Sequence, residues 1–304
     1  MRRDPSPDSC FAARLARWPG SGTARRADPG ERADLTGGSG RGLRSGVLAR
    51  LHRPVDGRGE RLIAHHERAR LARVSVAPTE GASLDPPLAF AAYRSTTLRA
   101  PAQSLLPVEP ELSERAGPVF GAAEVDPRDH DLTAQTDRPP LGERIIVSGR
   151  VLDREGRPIA GALVEVWQAN AAGRYAHPAD EHPAPLDPGF IGAGRCRTDG
   201  DGTYRFVTVK PGAYPWGNHV NAWRPAHIHF SVFGNGFRDR LVTQMYFPGD
   251  PLLAHDPIFG SVPRAGRALL VAQFDLDLTE PDWALGYRWD IVVRGAGATP
   301  REAS

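Results

Sequence analysis

The sequence has little cysteine, a single lysine and no long apolar run. Its two cysteines, Cys10 and Cys196, are too few for a disulfide framework, which favours a reducing compartment. No stretch approaches the roughly 18 consecutive apolar residues of a membrane span, and the first residues, MRRDPSPDSC, lack the apolar centre of a secretion signal. These absences predict a cytoplasmic protein without a membrane segment.

Positive charge is concentrated in the first part of the chain. Residues 1–80 carry 16 arginines against 9 acidic residues, whereas the remainder carries 22 basic and 27 acidic residues. A nucleic-acid interface would combine a basic face with aromatic side chains. Because the basic arm is poor in aromatics, no nucleic-acid partner is expected.

The composition changes twice along the chain. Residues 1–84 are rich in Arg, Gly, Pro and Ser and show no period of 2 or 3.6, which predicts a disordered extension. Residues 85–142 are studded with proline and predict an extended segment that wraps over a core. Residues 143–304 contain short, alternating runs of β-branched residues and are predicted to form that core.

Seven short strands are predicted in the core region, between turns such as REGRP, DGDG and KPGAYP. Because no helical pattern separates them, they indicate an all-β fold, an antiparallel β-sandwich with long irregular loops. The predicted strands are 144–153, 162–170, 203–209, 226–234, 241–247, 268–276 and 287–293.

Two histidines stand two residues apart in the segment NAWRPAHIHFS. On a strand, His227 and His229 share one face, while Ile228 and Phe230 point to the other. Such a pair can close on one metal ion. The pattern alone is equally compatible with solvated or hydrogen-bonded histidines, so the role of the pair stays open.

Two tyrosines follow glycine-containing loops, Tyr175 in NAAGRYAH and Tyr214 in KPGAYPWG. A tyrosine in a turn is usually a packing residue, so spacing alone leaves their role undecided. Four further histidines in predicted loops are alternative metal ligands, namely His177, His182, His219 and His255.

The longer segments carry a family resemblance. They are GRVLDREGRPIAGALVEVWQANAAGRYAH, DPGFIGAGRCRTDGDGTYRFVTVKPGAYPWGN, WRPAHIHFSVFG and LVTQMYFPGDPL. From about Pro86 to Gly295 the chain resembles the intradiol ring-cleaving dioxygenases, in particular those whose iron-bearing β subunit cleaves protocatechuate. The resemblance implies a prealbumin-like β-sandwich and the conversion of protocatechuate and O2 to 3-carboxy-cis,cis-muconate. It also implies one non-haem Fe(III) per chain and a partner α subunit in a hetero-oligomer.

The same resemblance implies the metal ligands, which are Tyr175, Tyr214, His227 and His229 at the matching positions. Tyr214 and His229 correspond to the family's axial ligands. A free tyrosine titrates near pH 10, but a trivalent cation nearby strongly favours the phenolate. Two phenolates and a hydroxide then balance the three positive charges of ferric iron.

Further site residues are implied around the iron. Arg224 and Gln244 match positions beside the metal, where the guanidinium would stabilise charge that develops on the substrate. A structural ion pair is the alternative role for Arg224. Trp216 and Ile258 match the walls of the substrate pocket, and Tyr93 matches the tyrosine that reaches the substrate carboxylate.

The chain departs from the family pattern at Ala176 and Gly217, where the β subunits often carry arginine. This departure bears on the substrate more than on iron. The alternatives are therefore the same chemistry on catechol or hydroxyquinol, a non-catalytic prealbumin-like binding module, and a zinc hydrolase that uses the two histidines. Catechol-type relatives carry a helical leading domain, which residues 1–84 do not resemble, and a binding module would not need the whole set of site residues.

Overall fold

The computed structural model describes residues 83–106, 125–217, 223–233, 240–295 and 297–302. The predicted disordered extension, apart from its last two residues, lies outside these ranges, as do His219 and part of the predicted wrapping segment. Within the described ranges, no helix has the length and apolar character needed to cross a membrane.

The described residues form mainly short strands, so the all-β prediction is confirmed. The strands are β1 Arg144–Leu152, β2 Leu163–Trp167, β3 Ala193–Arg197, β4 Thr203–Val209, β5 Tyr214–Pro215, β6 Trp223–Arg224, β7 His227–Phe233, β8 Leu241–Tyr246, β9 Gln273–Phe274, β10 Leu285–Arg288 and β11 Ile291–Val292. In the part of the chain that the structure describes, three short helices accompany the strands: α1 Thr96–Arg99, α2 Pro257–Ser261 and α3 Arg264–Arg267. Pro251–His255 and Ala268–Leu270 are 3-10 turns.

The strands are arranged in two main sheets and a small ribbon. In the first sheet β4 lies antiparallel to β1, while β10 and β11 pair with β1 in parallel and β9 pairs with β10. The second sheet has the order β3-β2-β7-β8, and all its neighbours are antiparallel. The ribbon consists of β5 and β6.

Apolar side chains from both sheets meet in one cluster, which makes the two sheets a sandwich. Phe230 on β7 is at its centre, with its ring 5.7 Å from that of Tyr204 and 4.8 Å from that of Trp289. It is fully buried, and burying a side chain of this size contributes about 1.5–3 kcal/mol. Other members of the cluster are Ile145, Val147, Val164, Val166, Phe206, Ile228, Val232, Leu241 and Met245.

The sequence pattern was less accurate at the end of the chain. The predicted strand 268–276 was wrong over most of its length, since it contains a 3-10 turn and only the two residues of β9. Its leucine Leu270 instead packs with Tyr246 and Val262 in a separate cluster. The segment AGRCR was not predicted, because small and charged residues hide the strand signal. There Gly194 lets β3 approach the neighbouring backbone, because a Cβ would lie 2.5 Å from the carbonyl oxygen of Asp129.

Candidate functional site

The outer face of the second sheet, which points away from the sandwich interior, carries a row of polar side chains. In the register of the sheet, His229 on β7 lies beside Trp167 on β2 and Gln244 on β8, and His227 lies beside Tyr246. All five residues are at most 2% exposed. This face is therefore as buried as the interior, although it carries ring nitrogens, an amide and a phenol.

Two loops with glycines bring tyrosines over this face. Gly173 has a φ of +80°, and a Cβ there would lie 2.1 Å from the carbonyl oxygen of Ala213. Glycine thus allows the loop of Tyr175 to touch the backbone just before Tyr214. The amide of Tyr175 donates to Oδ2 of Asp180 at 2.7 Å, and the two tyrosine rings meet edge to face at 5.5 Å.

The four predicted metal ligands come together at one buried place. Nε2 of His227 lies 3.2 Å from Nε2 of His229 and 3.4 Å from Oη of Tyr214. The ring of Tyr175 lies 6.4 Å from the ring of His229. The tyrosines are 2% and 7% exposed, so the set is enclosed but reaches the edge of the covering loops at Tyr214.

The hydrogen bonds of the two histidines test whether this set suits a metal ion. Nδ1 of His227 lies 2.8 Å from the carbonyl oxygen of Pro225, and Nδ1 of His229 lies 3.3 Å from Oε2 of Glu302. Since both partners are acceptors, the tautomer with its proton on Nδ1 satisfies both contacts, and in neutral rings of this tautomer both Nε2 atoms present lone pairs. Two lone pairs directed at one place can share a cation, and Nη1 of Arg224 and Oη of Tyr214 are also within hydrogen-bond distance of Nε2 of His227.

The spacing also agrees with ligation. With metal–nitrogen distances of about 2.1 Å, two nitrogens at this separation subtend an angle of about 100° at a shared ion. The described residues contain no group of three or more His, Cys, Asp or Glu side chains that could hold a metal ion. A metal ion at this place would therefore also draw on the phenol oxygens, and a set of tyrosine and histidine donors fits the chemistry of ferric iron.

The alternative histidines lie elsewhere in the loops. Nδ1 of His177 accepts a bond from a backbone amide two residues further along, at 3.1 Å. The ring of His182 packs edge to face on Trp223 at 6.4 Å, and His255 ends a 3-10 turn. His219 lies outside the described residues.

Arg224 occupies the centre of a buried polar network behind the histidines. Its Nε and Nη2 donate to the two carboxylate oxygens of Asp256 at 3.2 and 3.0 Å. Nη2 also lies 2.6 Å from Oε1 of Gln244 and 3.1 Å from Oη of Tyr246. The third nitrogen, Nη1, lies 3.2 Å from Nε2 of His227. Asp256 thus neutralises the guanidinium while one edge of it points at the ligand set.

Tyr246 stays a hydroxyl in this network. Burial raises its pKa well above the usual value, the negative charge of Asp256 raises it further, and Arg224 opposes that shift. Its oxygen lies 2.9 Å from Oε1 of Gln244 and 3.0 Å from Oδ2 of Asp256. A single phenolic proton serves one of these acceptors at a time, so Tyr246 ties the amide and the carboxylate together.

Apolar and aromatic side chains form the wall beside the ligand set. Trp216, Ile258 and Tyr93 belong to one cluster with both tyrosines. Tyr93 meets Trp216 edge to face at 5.0 Å, and the Arg224 guanidinium lies 5.3 Å from the Trp216 ring centre. Asp256 caps α2, which carries Ile258. Aromatic walls with a few polar groups suit a flat ring as ligand.

Sequence reasoning missed several members of the site. Tyr246 lies two residues after Gln244 on the same strand face, so the period of 2 would have found it. Asp256 precedes a proline at the start of α2, which is a capping signal but says nothing of Arg224. Glu302 is 73 positions from His229, and no local pattern connects them.

Comparisons with known proteins show the family to which the chain belongs. The profile of a family described as Dioxygenase matches residues 115–295, and one described as protocatechuate 3,4-dioxygenase beta subunit N terminal matches residues 86–111. The chain is 61% identical over 212 residues to the protocatechuate 3,4-dioxygenase beta chain of Burkholderia cepacia, covering 69% of this chain and 90% of that one.

Two further relatives are more distant. The hydroxyquinol 1,2-dioxygenase of Rhizobium sp. (strain MTP-10005) is 39% identical over 39% of this chain and 42% of its own length. The protocatechuate 3,4-dioxygenase alpha chain of Burkholderia cepacia is 32% identical over 52% of this chain and 76% of its own length.

Proposed function

Because the chain belongs to the intradiol dioxygenase family, we propose that it opens the ring of protocatechuate (3,4-dihydroxybenzoate) with O2. The bond between the two hydroxylated carbons breaks and the product is 3-carboxy-cis,cis-muconate. Both atoms of O2 enter the product, so the reaction needs no external reductant. The observation that carries the proposal is the convergence of Tyr214 Oη with Nε2 of His227 and His229.

Tyr175, Tyr214, His227 and His229 would hold one non-haem Fe(III). The hydrogen bonds at both Nδ1 atoms, which direct both Nε2 lone pairs to one place, support this assignment. When bound there, ferric iron makes a chelated catecholate ring reactive towards O2. The two-histidine, one-carboxylate set typical of ferrous oxygenases differs from this one, because phenolates stabilise the ferric state.

The substrate must lose its hydroxyl protons to chelate, and Tyr214 is the proposed acceptor of one of them. It is the more exposed of the two tyrosines and stands at the boundary between the ligand set and the aromatic wall. A phenolate at this position is a base that can take a proton from an approaching catechol hydroxyl.

Arg224 would stabilise the negative charge that develops on the ring as oxygen adds. A guanidinium does not deprotonate at this depth, and Nη1 already faces the ligand set at 3.2 Å. Gln244 accepts from Nη2 at 2.6 Å and thereby supports the orientation of the guanidinium. A preorganised cation in a site shielded from water acts more strongly than it would in solution.

The aromatic wall would orient the substrate. Trp216 and Ile258 belong to one cluster with Tyr175 and Tyr214 and would contact the flat ring. Tyr93 would bind the ring carboxylate, and the guanidinium of Arg99 lies 4.8 Å from the Tyr93 ring centre. Gly217 stands where the β subunits often carry arginine, so this position adds no charge to the pocket. It is exposed, and a Cβ there would meet no atom within 4 Å.

We further propose an α chain as partner in a hetero-oligomer. The relatives include both a beta chain and an alpha chain of protocatechuate 3,4-dioxygenase from one organism. The higher identity to the beta chain supports the iron-bearing role for this chain.

Metal analysis, visible absorption and oxygen uptake on the purified protein test the proposal. We expect about one iron per chain, a red colour from charge transfer between tyrosinate and iron, and one O2 consumed per protocatechuate. Mass spectrometry of the product made with ¹⁸O2 should show two labelled oxygens. A binding module or a zinc hydrolase would be colourless and would refute the proposal, whereas faster turnover of catechol or hydroxyquinol would change only the substrate.

A further inference from the structure

The two histidines of the ligand set are held by different kinds of acceptor. His227 donates through Nδ1 to a neutral backbone carbonyl, that of Pro225, only two residues away. His229 faces the carboxylate of Glu302 through Nδ1 at 3.3 Å. The side chain of His229 is fully buried and that of Glu302 is 15% exposed. The second contact therefore brings a negative charge to the rear of a buried ring.

Glu302 belongs to a C-terminal segment, residues 297–302, that runs beside β8. The amide of Glu302 donates to the carbonyl oxygen of Val242 at 2.8 Å. One position earlier on the segment, Arg301 donates through Nη1 to the carbonyl oxygen of Arg240 at 2.9 Å. The backbone bond of Glu302 fixes this position of the segment beside β8, so the carboxylate of Glu302 is directed at His229 by tertiary structure.

A second contact fixes the plane of the same ring. Trp167 stacks on His229 with ring centres 4.8 Å apart and an angle of 4° between the planes. Stacking defines the plane of the ring but allows two orientations, which differ by a half-turn about the Cβ–Cγ bond. A hydrogen bond at Nδ1 removes that freedom and selects the tautomer whose Nε2 has the lone pair.

We propose that Glu302 is a positioning residue that acts through His229, and that the C-terminal segment is therefore part of the iron centre. This inference rests on the proposed function. Its carboxylate holds the proton on Nδ1, directs Nε2 at the ion and makes the imidazole a stronger donor. Carboxylates in this role commonly change metal affinity by about tenfold to a hundredfold.

Two substitutions separate the charge of Glu302 from its hydrogen-bonding capacity. Glu302→Gln keeps an acceptor oxygen and the volume of the side chain but removes the charge, whereas Glu302→Ala removes both. Arg301→Gln is the matched control, because it removes a neighbouring charge on the same segment while the backbone bond of Glu302 to Val242 and the carboxylate remain. All are made in the full-length protein, with unfolding temperature as the measure of folding.

The first measurement is the rate at which a chelator removes iron, followed by the loss of visible absorption. We expect release about tenfold faster in Glu302→Gln and up to about a hundredfold faster in Glu302→Ala. Arg301→Gln should stay within about twofold of the unmodified protein. Equal release rates in the unmodified protein and both Glu302 variants would overturn the proposal, as would an equally large effect of Arg301→Gln.

The second measurement needs neither iron nor activity. In metal-free protein, ¹⁵N shifts of the His229 ring report the tautomer, with signals assigned by difference from a His229→Gln protein. We expect a protonated Nδ1 in the unmodified protein and a mixture of tautomers in Glu302→Ala. If the unmodified protein binds no iron, the proposed function fails, whereas an unchanged tautomer together with unchanged release rates refutes the role of Glu302 alone.

Discussion

On β7, Ile228, Phe230 and Val232 face the other sheet, whereas His227 and His229 face the covering loops. Each of these five residues is at most 2% exposed. The inner face of the second sheet is filled by aliphatic and aromatic contacts, and its outer face carries the two histidines, which adjoin the Arg224 network. The two faces of this sheet are therefore equally buried, although one is apolar and the other is polar.

The difference shows that the extent of burial does not distinguish an apolar core from a candidate functional site. A buried charge is costly unless it is paired and hydrogen-bonded, and the pair of Arg224 and Asp256 is fully enclosed. Replacing such a pair by apolar residues is often neutral or stabilising in other proteins. We therefore interpret the buried charge of Arg224 on the outer face as functional, whereas the inner face stabilises the fold by packing.

The largest expected effect is on the outer face. His229→Ala should lose its iron, because one of the two neutral nitrogen donors is gone and the remaining set is incomplete. Iron content and the red absorption should fall from about one ion per chain to near zero. On the neighbouring position of the inner face, Phe230→Leu should keep its iron, and retention of iron by His229→Ala would contradict the assignment.

Tyr214→Phe should affect turnover more than metal content. The variant keeps the ring in the aromatic wall but removes the oxygen that we propose accepts a substrate proton. Loss of a positioned base typically lowers the rate by about 10²- to 10⁴-fold. Steady-state oxygen uptake, normalised to bound iron, measures this effect, and unchanged kinetics would show that another group takes the proton.

Two substitutions should cost similar stability with different consequences for activity. Phe230→Ala leaves a cavity on the inner face, at a cost of about 3–5 kcal/mol. Asp256→Ala leaves the Arg224 charge unpaired, at a cost that is also about 3–5 kcal/mol. Denaturant unfolding gives the stabilities. Turnover per bound iron should fall only in Asp256→Ala, and an equal fall in both would show that the two faces are not separable.

The smallest expected effect concerns Cys196 on β3, which packs against the inner-face cluster. Burial raises the pKa of its thiol to about 12, so at pH 8 roughly one thiol in 10⁴ is the reactive thiolate. Alkylation should be roughly a thousandfold slower in the folded protein than in the unfolded chain. Peptide mass spectrometry separates Cys196 from Cys10, and rapid labelling of Cys196 in the folded protein would contradict the raised pKa of its thiol.

Several strands in both sheets were predictable because β-branched and aromatic residues recur along them with a period of about 2. The runs that became β4, β7 and β8 have their predicted positions to within a residue or two. The strand predicted at 268–276 was not found over most of its length, because a 3-10 turn interrupts the apolar run. Its Leu270 packs in a separate cluster with Val262. In the site, the four ligand positions followed from the family resemblance, and their roles remain predictions.

The sequence by itself determined the all-β fold, the two faces of β7 and the residue types offered to a metal. These follow from local periodicity, since alternate side chains on a strand point to opposite faces. Only the tertiary structure decided that Asp256 holds Arg224 and that Glu302, from the end of the chain, faces His229. Such contacts join residues far apart in the sequence, and their geometry depends on how the covering loops and the C-terminal segment pack on the sheet.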